Sequence, residues 1–197
     1  MAKLYVPRLS KPEDGNPYYN RQPKGYSTAI LGKPVDPGCD VLSNCVGYAF
    51  GRFNEIAGST TMKYLKPVNA ERIWQYRRTL KSGSEPKLGA CMVWQKGTSS
   101  GDDGAGHVAI VEQILPDGSI ITSESAYGNV NPFNLKKRVR GDGNWSQPNS
   151  YSFLGFIYQE EEYVENLDDN SFTLNEIKTI RELLSKAIDI CDNLIKK

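Results

Sequence analysis

The spacing of hydrophobic positions changes along the chain. Between residues 43 and 57, Val46, Ala49, Phe50, Phe53, Ile56 and Ala57 recur at steps of three and four, which lays one apolar stripe on an α-helix. Ser43 or Asn44 can cap its start and Gly58 can end it. A second helix is predicted over 69–80, NAERIWQYRRTL, with Asn69 as its cap and Ile73, Trp74, Tyr76 and Leu80 on its buried side. The pattern then becomes strand-like. Segments 88–95, 107–115, 119–125 and 151–159 read as strands. Pro116-Asp117-Gly118 joins the second to the third as a hairpin turn. Helices first and antiparallel strands afterwards predict an α+β fold, with the N-terminal helices packed on the sheet.

The flanking segments have other patterns. Residues 1–41 carry prolines at 7, 12, 17, 23, 34 and 37, a density that breaks helices and central strands. An ordered arm is expected there, its first part about residues 1–25, anchored by Tyr5, Tyr18, Tyr19 and Tyr26. Gly- and Asp-rich loops at 97–106 and 139–150 flank the strands, and the first leads into His107. Loops so placed often shape a cleft. Residues 160–170, EEEYVENLDDN, are acidic and polar. The segment after them reads as one long helix, capped by Ser171 or Thr173, with Leu174, Ile177, Ile180, Leu184, Ile188, Cys191 and Leu194 on its apolar side. The expected organisation is a domain over 1–160, a linker over 161–170 and a C-terminal helix over 171–197. The readings of that helix are docking back on the domain, self-association, since its steps approach a heptad, and direct wall or membrane contact through its terminal lysines.

Composition narrows the functions. A chain of 197 residues, 39% hydrophobic and 24% charged, is long enough for one domain with a real core plus an appendage. The net charge of +1 argues against nucleic acid as the main partner. No run of 18 apolar residues exists, so no stable membrane insertion is expected. The N-terminus has no apolar signal-peptide core, which predicts a protein made in the cytoplasm with free thiols. The four cysteines, Cys39, Cys45, Cys91 and Cys191, show no metal-type spacing. There is one histidine, His107, so any imidazole chemistry must use it. Zinc sites with two histidines from one chain are excluded.

A thiol attacks as its thiolate, and a free cysteine titrates near about 8.5. A helix N-terminus and a nearby imidazolium both favour the anion. Cys45 falls at the first or second position of the first helix, and His107 opens a strand. Together they suit a nucleophile and its general base. Packing roles for both residues remain open on this evidence. Cys91 lies in an apolar strand and Cys191 on an apolar helix side, which suits core roles. Cys39, in a loop, is the second candidate nucleophile. A third residue should orient the imidazole. Glu124, Asp117, Glu112 and Asn129 are the candidates. Asp117 belongs to the turn, and Glu112 lies on the opposite strand face from His107. Glu124 sits on the partner strand, but a tight turn at Asp117-Gly118 would set it opposite Ile110 or Val111. A bulge, strong twist or diagonal reach would be needed to bring it to His107.

The segments NPYYN (16–20), NCVGYAFGRFNEI (44–56), NAERIWQY (69–76), PKLGACMVW (86–94), GHVAIVEQILPDGSIITSESAYG (106–128) and FLGFIY (153–158) resemble, in order, the cysteine/histidine-dependent amidohydrolase/peptidase (CHAP) family. The resemblance implies a papain-like α+β fold and hydrolysis of amide bonds in bacterial peptidoglycan, as an N-acetylmuramoyl-L-alanine amidase or a peptide endopeptidase. It maps Cys45 to the nucleophile, His107 to the base and Glu124 to the acidic residue of the following strand. Many members carry Asn two residues beyond that acid, where this chain has Ala126, so the orienting role rests more heavily on Glu124. Some phage members bind calcium in the loop before the cysteine. Here Asp36 and Asp40 remain, but Gly38 and Leu42 supply no side-chain oxygen, and no calcium site or other cofactor is expected. The organisation resembles phage endolysins, which implies release to the wall through holin lesions. The competing readings are a non-catalytic wall-binding protein with a degenerate domain, and a papain-like protease acting on proteins.

Overall fold

The computed structural model describes residues 3–13, 15–19, 44–58, 65, 68–77, 79–97, 106–127 and 132–165. Cys39, Cys191, Tyr26, Asn129, the loop before Asn44 and the predicted C-terminal helix lie outside the described residues.

The first helix, α1, runs Cys45–Ala57. Asn44 is its cap: the extended backbone turns its side chain back to accept from Val46 N at 2.8 Å and Gly47 N at 3.1 Å. Gly58 closes it in the left-handed conformation, with φ 62°, its N–H directed at the carbonyls of Asn54 and Glu55. Val46, Ala49, Phe50 and Phe53 are buried against Cys91, Val93, Val108 and Ile110 of the sheet. The N-terminal arm crosses α1 at Gly51. A Cβ there would lie 2.6 Å from the Tyr18 carbonyl oxygen and 2.9 Å from the Tyr19 ring.

The second helix, α2, covers only Ala70–Gln75 and not the predicted 69–80. Asn69 stands at its N-cap position without making a side-chain cap bond. At the other end, Arg77 folds back, its Nη1 bonded to the Trp74 carbonyl and its guanidinium 3.9 Å from the Trp74 ring centre. That contact satisfies a helix-end carbonyl. Leu80 still reaches the core from beyond the helix.

The strands are β1 (Lys3–Tyr5), β2 (Ser82–Gly83), β3 (Cys91–Lys96), β4 (His107–Ile114), β5 (Ile120–Glu124), β6 (Asn134–Arg138), β7 (Tyr151–Ile157) and β8 (Tyr163–Glu165). Six form an antiparallel sheet in the order β2-β7-β3-β4-β5-β6. The fold is therefore α+β, as the pattern predicts. One sheet face packs on α1. The other buries Met92, Trp94, Ala109, Val111, Ile120 and Phe156 beneath Trp145, which the 139–150 loop supplies.

Two expectations need correction. Residues 161–165 are not all linker, because Tyr163–Glu165 forms β8, which pairs in parallel with β1 of the arm. The acidic composition hid a strand whose partner lies some 160 positions earlier, with Leu4 opposite Val164. Strand β6 was also unforeseen. Its sequence NLKKR exposes Leu135, Lys136 and Lys137 at the sheet edge, and only Arg138 is buried.

A polar cluster ties the arm to α1 and β4. Arg52 makes a two-pronged contact with Glu112, Nε to Oε1 and Nη2 to Oε2, both at 2.9 Å. Glu112 also accepts from Tyr5 Oη (2.8 Å), Ser123 Oγ (2.6 Å) and Arg8 N (2.8 Å). The carboxylate is fully buried, so this set of donors is what makes its charge tolerable there.

Candidate active site

Cys45 is the first residue of α1 and is partly exposed. The Asn44 side chain takes the N–H groups of Val46 and Gly47 and leaves that of Cys45 outside the cap. His107 opens β4 opposite Trp94 of β3, with ring centres 5.8 Å apart. The preceding Gly106 makes this entry feasible. Its φ is +42°, and a Cβ on it would lie 2.6 Å from both Glu71 N and the Trp94 carbonyl oxygen. Only glycine fits where the chain passes between α2 and β3.

The site brings Cys45, His107 and Glu124 together. His107 Nε2 lies 2.7 Å from Glu124 Oε2, and Cys45 is close enough to raise the basicity of the same imidazole. With Nε2 engaged by the carboxylate, Nδ1 is the nitrogen left for sulfur. Glu124 is almost wholly buried. Its Oε2 also accepts from Arg138 Nη2 at 2.6 Å, and its Oε1 forms an ion pair with Lys136 Nζ at 2.5 Å. Arg138 is itself held by Thr122 Oγ1 (3.0 Å), the Trp145 carbonyl (3.1 Å) and Gln147 Oε1 (3.0 Å). Its guanidinium lies 4.7 Å from the Trp94 ring centre.

These contacts set the charges. Burial disfavours the imidazolium, but the bonds to Cys45 and Glu124 outweigh it and raise His107 to about 9. Burial also works against the Glu124 carboxylate. The His107 contact, Arg138 and Lys136 prevail and hold it down at about 2. The contacts favour the imidazolium, held between the Cys45 sulfur and the Glu124 carboxylate. Such an arrangement can stabilise a thiolate and later deliver a proton.

The other sequence candidates lie elsewhere. Asp117 sits in the β4–β5 turn, bonded to Ser119 and Lys137. Glu112 faces α1 and is occupied by Arg52. Cys91 is fully buried in the α1-side core, and burial pushes its thiol well up. Arg138 and Lys136 were missed in the sequence. Nothing in NLKKRVR distinguishes the buried Arg138 from the exposed cations around it, because β6 itself is weakly patterned. Among the described residues no cluster of three or more His, Cys, Asp or Glu could hold a metal ion. No helix among them is long and apolar enough to cross a membrane.

A cysteine at a helix start, an imidazole at a strand start and a carboxylate on the next strand thus lie at one place in the fold. Residues 36–126 match the CHAP domain family. The chain is also similar to a solved N-acetylmuramoyl-L-alanine amidase from Staphylococcus aureus, at 24% identity over 60% of this chain, with a TM-score of 0.42. The match spans 31% of that amidase chain. A search of curated protein sequences found no match.

Proposed function

We propose that the protein is a thiol-dependent peptidoglycan hydrolase. The reading is carried by the meeting of Cys45, His107 and Glu124 within the segment that matches the CHAP domain. The Cys45 thiolate, its proton held on His107, attacks the carbonyl carbon of a wall amide, and the oxyanion of the tetrahedral intermediate is held by the Cys45 N–H and a neighbouring donor. The C–N bond breaks as His107 passes its proton to the departing amine, which leaves a thioester on Cys45. His107, now neutral, takes a proton from water. The resulting hydroxide adds to the thioester carbon, the C–S bond breaks, the acyl group leaves as a carboxylic acid, and the Cys45 thiolate and His107 imidazolium are restored. Glu124 fixes the ring orientation and stabilises the imidazolium in both halves.

Fragments released from purified peptidoglycan, analysed by mass spectrometry, test the reading. A new free amino group on L-alanine with intact muramic acid marks amidase cleavage, and new peptide termini mark endopeptidase cleavage. C45A should abolish both. Full lytic activity in C45A would sink the mechanism. Turnover of proteins without any turnover of peptidoglycan would replace the substrate.

A further inference from the structure

We propose that Arg138 is a positioning residue that restrains the basicity of His107 by sharing the oxygen on which the imidazole depends. The inference rests on the functional reading above only for its catalytic consequence. Its physical content stands on geometry.

Glu124 Oε2 receives two cationic donors, His107 Nε2 at 2.7 Å and Arg138 Nη2 at 2.6 Å. Two positive groups on one atom compete for its electron density and repel each other. Arg138 cannot yield, because its remaining nitrogens are fixed by Thr122, the Trp145 carbonyl and Gln147, and its plane lies over Trp94. Its side chain is only 1% exposed, so water does not screen the pair. Lys136 also meets this carboxylate, on Oε1, but it is half exposed and its field is weakened by solvent. The other groups facing the imidazole are Cys45 from α1, the uncharged Trp94 ring from β3, and α2, whose Glu71 carboxylate faces Lys96 N. Arg138 is thus the buried cation opposed to the imidazolium through a common oxygen. A less basic imidazolium gives up its proton more readily to the leaving amine.

The chain has one histidine, so a single imidazole NMR signal reports the titration without assignment. In R138M the midpoint should move upward by about one pH unit. K136M should move it in the same direction by less. R138K, which keeps the charge over Trp94, should stay near the wild type. The pH at which amine departure slows should follow the NMR midpoint in each variant. An unchanged or lowered midpoint in folded R138M overturns the proposal, as does a larger shift in K136M. Should R138M fail to fold, the wild type still decides: the buried Arg138 guanidinium N–H signals must titrate with the imidazole midpoint, and signals indifferent to that transition overturn the proposal. Because the NMR readouts need no substrate, a failure of wall hydrolysis leaves them interpretable.

Discussion

Glu124 Oε2 lies 2.7 Å from His107 Nε2, although the two residues are not opposite each other across the sheet. At the turn end of the hairpin, Ile114 pairs with Ile120 and Gln113 with Ile121. If that register continued, Glu124 would fall opposite Ile110, whose side chain faces α1. A bulge at Glu112 adds one residue to β4, so Val111 pairs with Thr122 and Ile110 with Ser123. Continued one step, the new register sets Glu124 opposite Ala109, on the face that His107 shares. One extra residue therefore moves the carboxylate to the imidazole's side, and a diagonal reach closes the gap.

E124Q keeps the shape of this contact and removes its charge. The imidazole midpoint should fall from about 9 towards the ordinary 6.5, because burial then acts with less opposition. The value of kcat/KM on peptidoglycan should fall by about two orders of magnitude. NMR titration and turbidity assays check the two effects separately. A midpoint still near 9 would mean that Cys45 alone sustains the cation.

The bulge also marks the boundary of what sequence reasoning could reach. Local signals gave α1, its Asn44 and Gly58 ends, the Cys45 position and the Pro116-Asp117-Gly118 turn, because each depends on a few adjacent residues. Parity set Glu112 on the strand face opposite His107, and there it meets Arg52 of α1. The register that brings Glu124 to His107 shifts at Glu112, whose partner Arg52 lies 60 positions away, and no local pattern encodes that partnership. Strands β1, β6 and β8 were invisible for the same reason: they are short, edge-placed and defined by their partners. At the early end of α2 an Arg77 side chain returns to the Trp74 carbonyl, a contact that propensity does not foresee.

The raised midpoint of His107 makes its contribution to stability pH-dependent. A group more basic in the folded state than in the unfolded chain stabilises fully below its unfolded value, here about 6.5. That contribution is lost as pH rises through about 9. Comparing urea midpoints of wild type and H107Q at pH 6 and pH 9.5 isolates it. The wild-type advantage should be larger at pH 6. Glu124 acts in the opposite range: its contribution is present above about 4.5 and is lost as pH falls towards 2. An advantage that grew with pH between 6.5 and 9 would contradict the His107–Glu124 pairing.

Glu112 is expected to matter more to stability than any exposed ion pair. E112A leaves Arg52 buried without its two-pronged acceptor and should cost about 3–5 kcal/mol. E112Q retains acceptor and shape and should cost less. The double variant R52M/E112L removes both charges and should recover much of the loss, since no uncompensated ion remains. Denaturant unfolding of the four proteins checks the order. If E112A and E112Q were equally stable, the charge at the bulge would have no structural role.

Gly106 offers a test of how finely His107 must be placed. The residue has φ +42°, in the region that L side chains rarely adopt, and its missing Cβ leaves room for Glu71 N and the Trp94 carbonyl. In G106A those backbone atoms must move, because a Cβ would approach both to 2.6 Å. The left-handed conformation costs about 1–2 kcal/mol, and the clash adds to it. The displaced backbone belongs to the start of β4, so His107 shifts relative to Cys45 on α1 and Glu124 on β5. Misplacement by about 1 Å can reduce turnover a hundredfold. G106A should therefore lose more activity than its stability loss explains when assayed well below its unfolding transition. The His107 midpoint should also fall, since both raising contacts lengthen. A folded G106A with wild-type turnover and midpoint would show that the site tolerates a looser entry to β4 than this geometry implies.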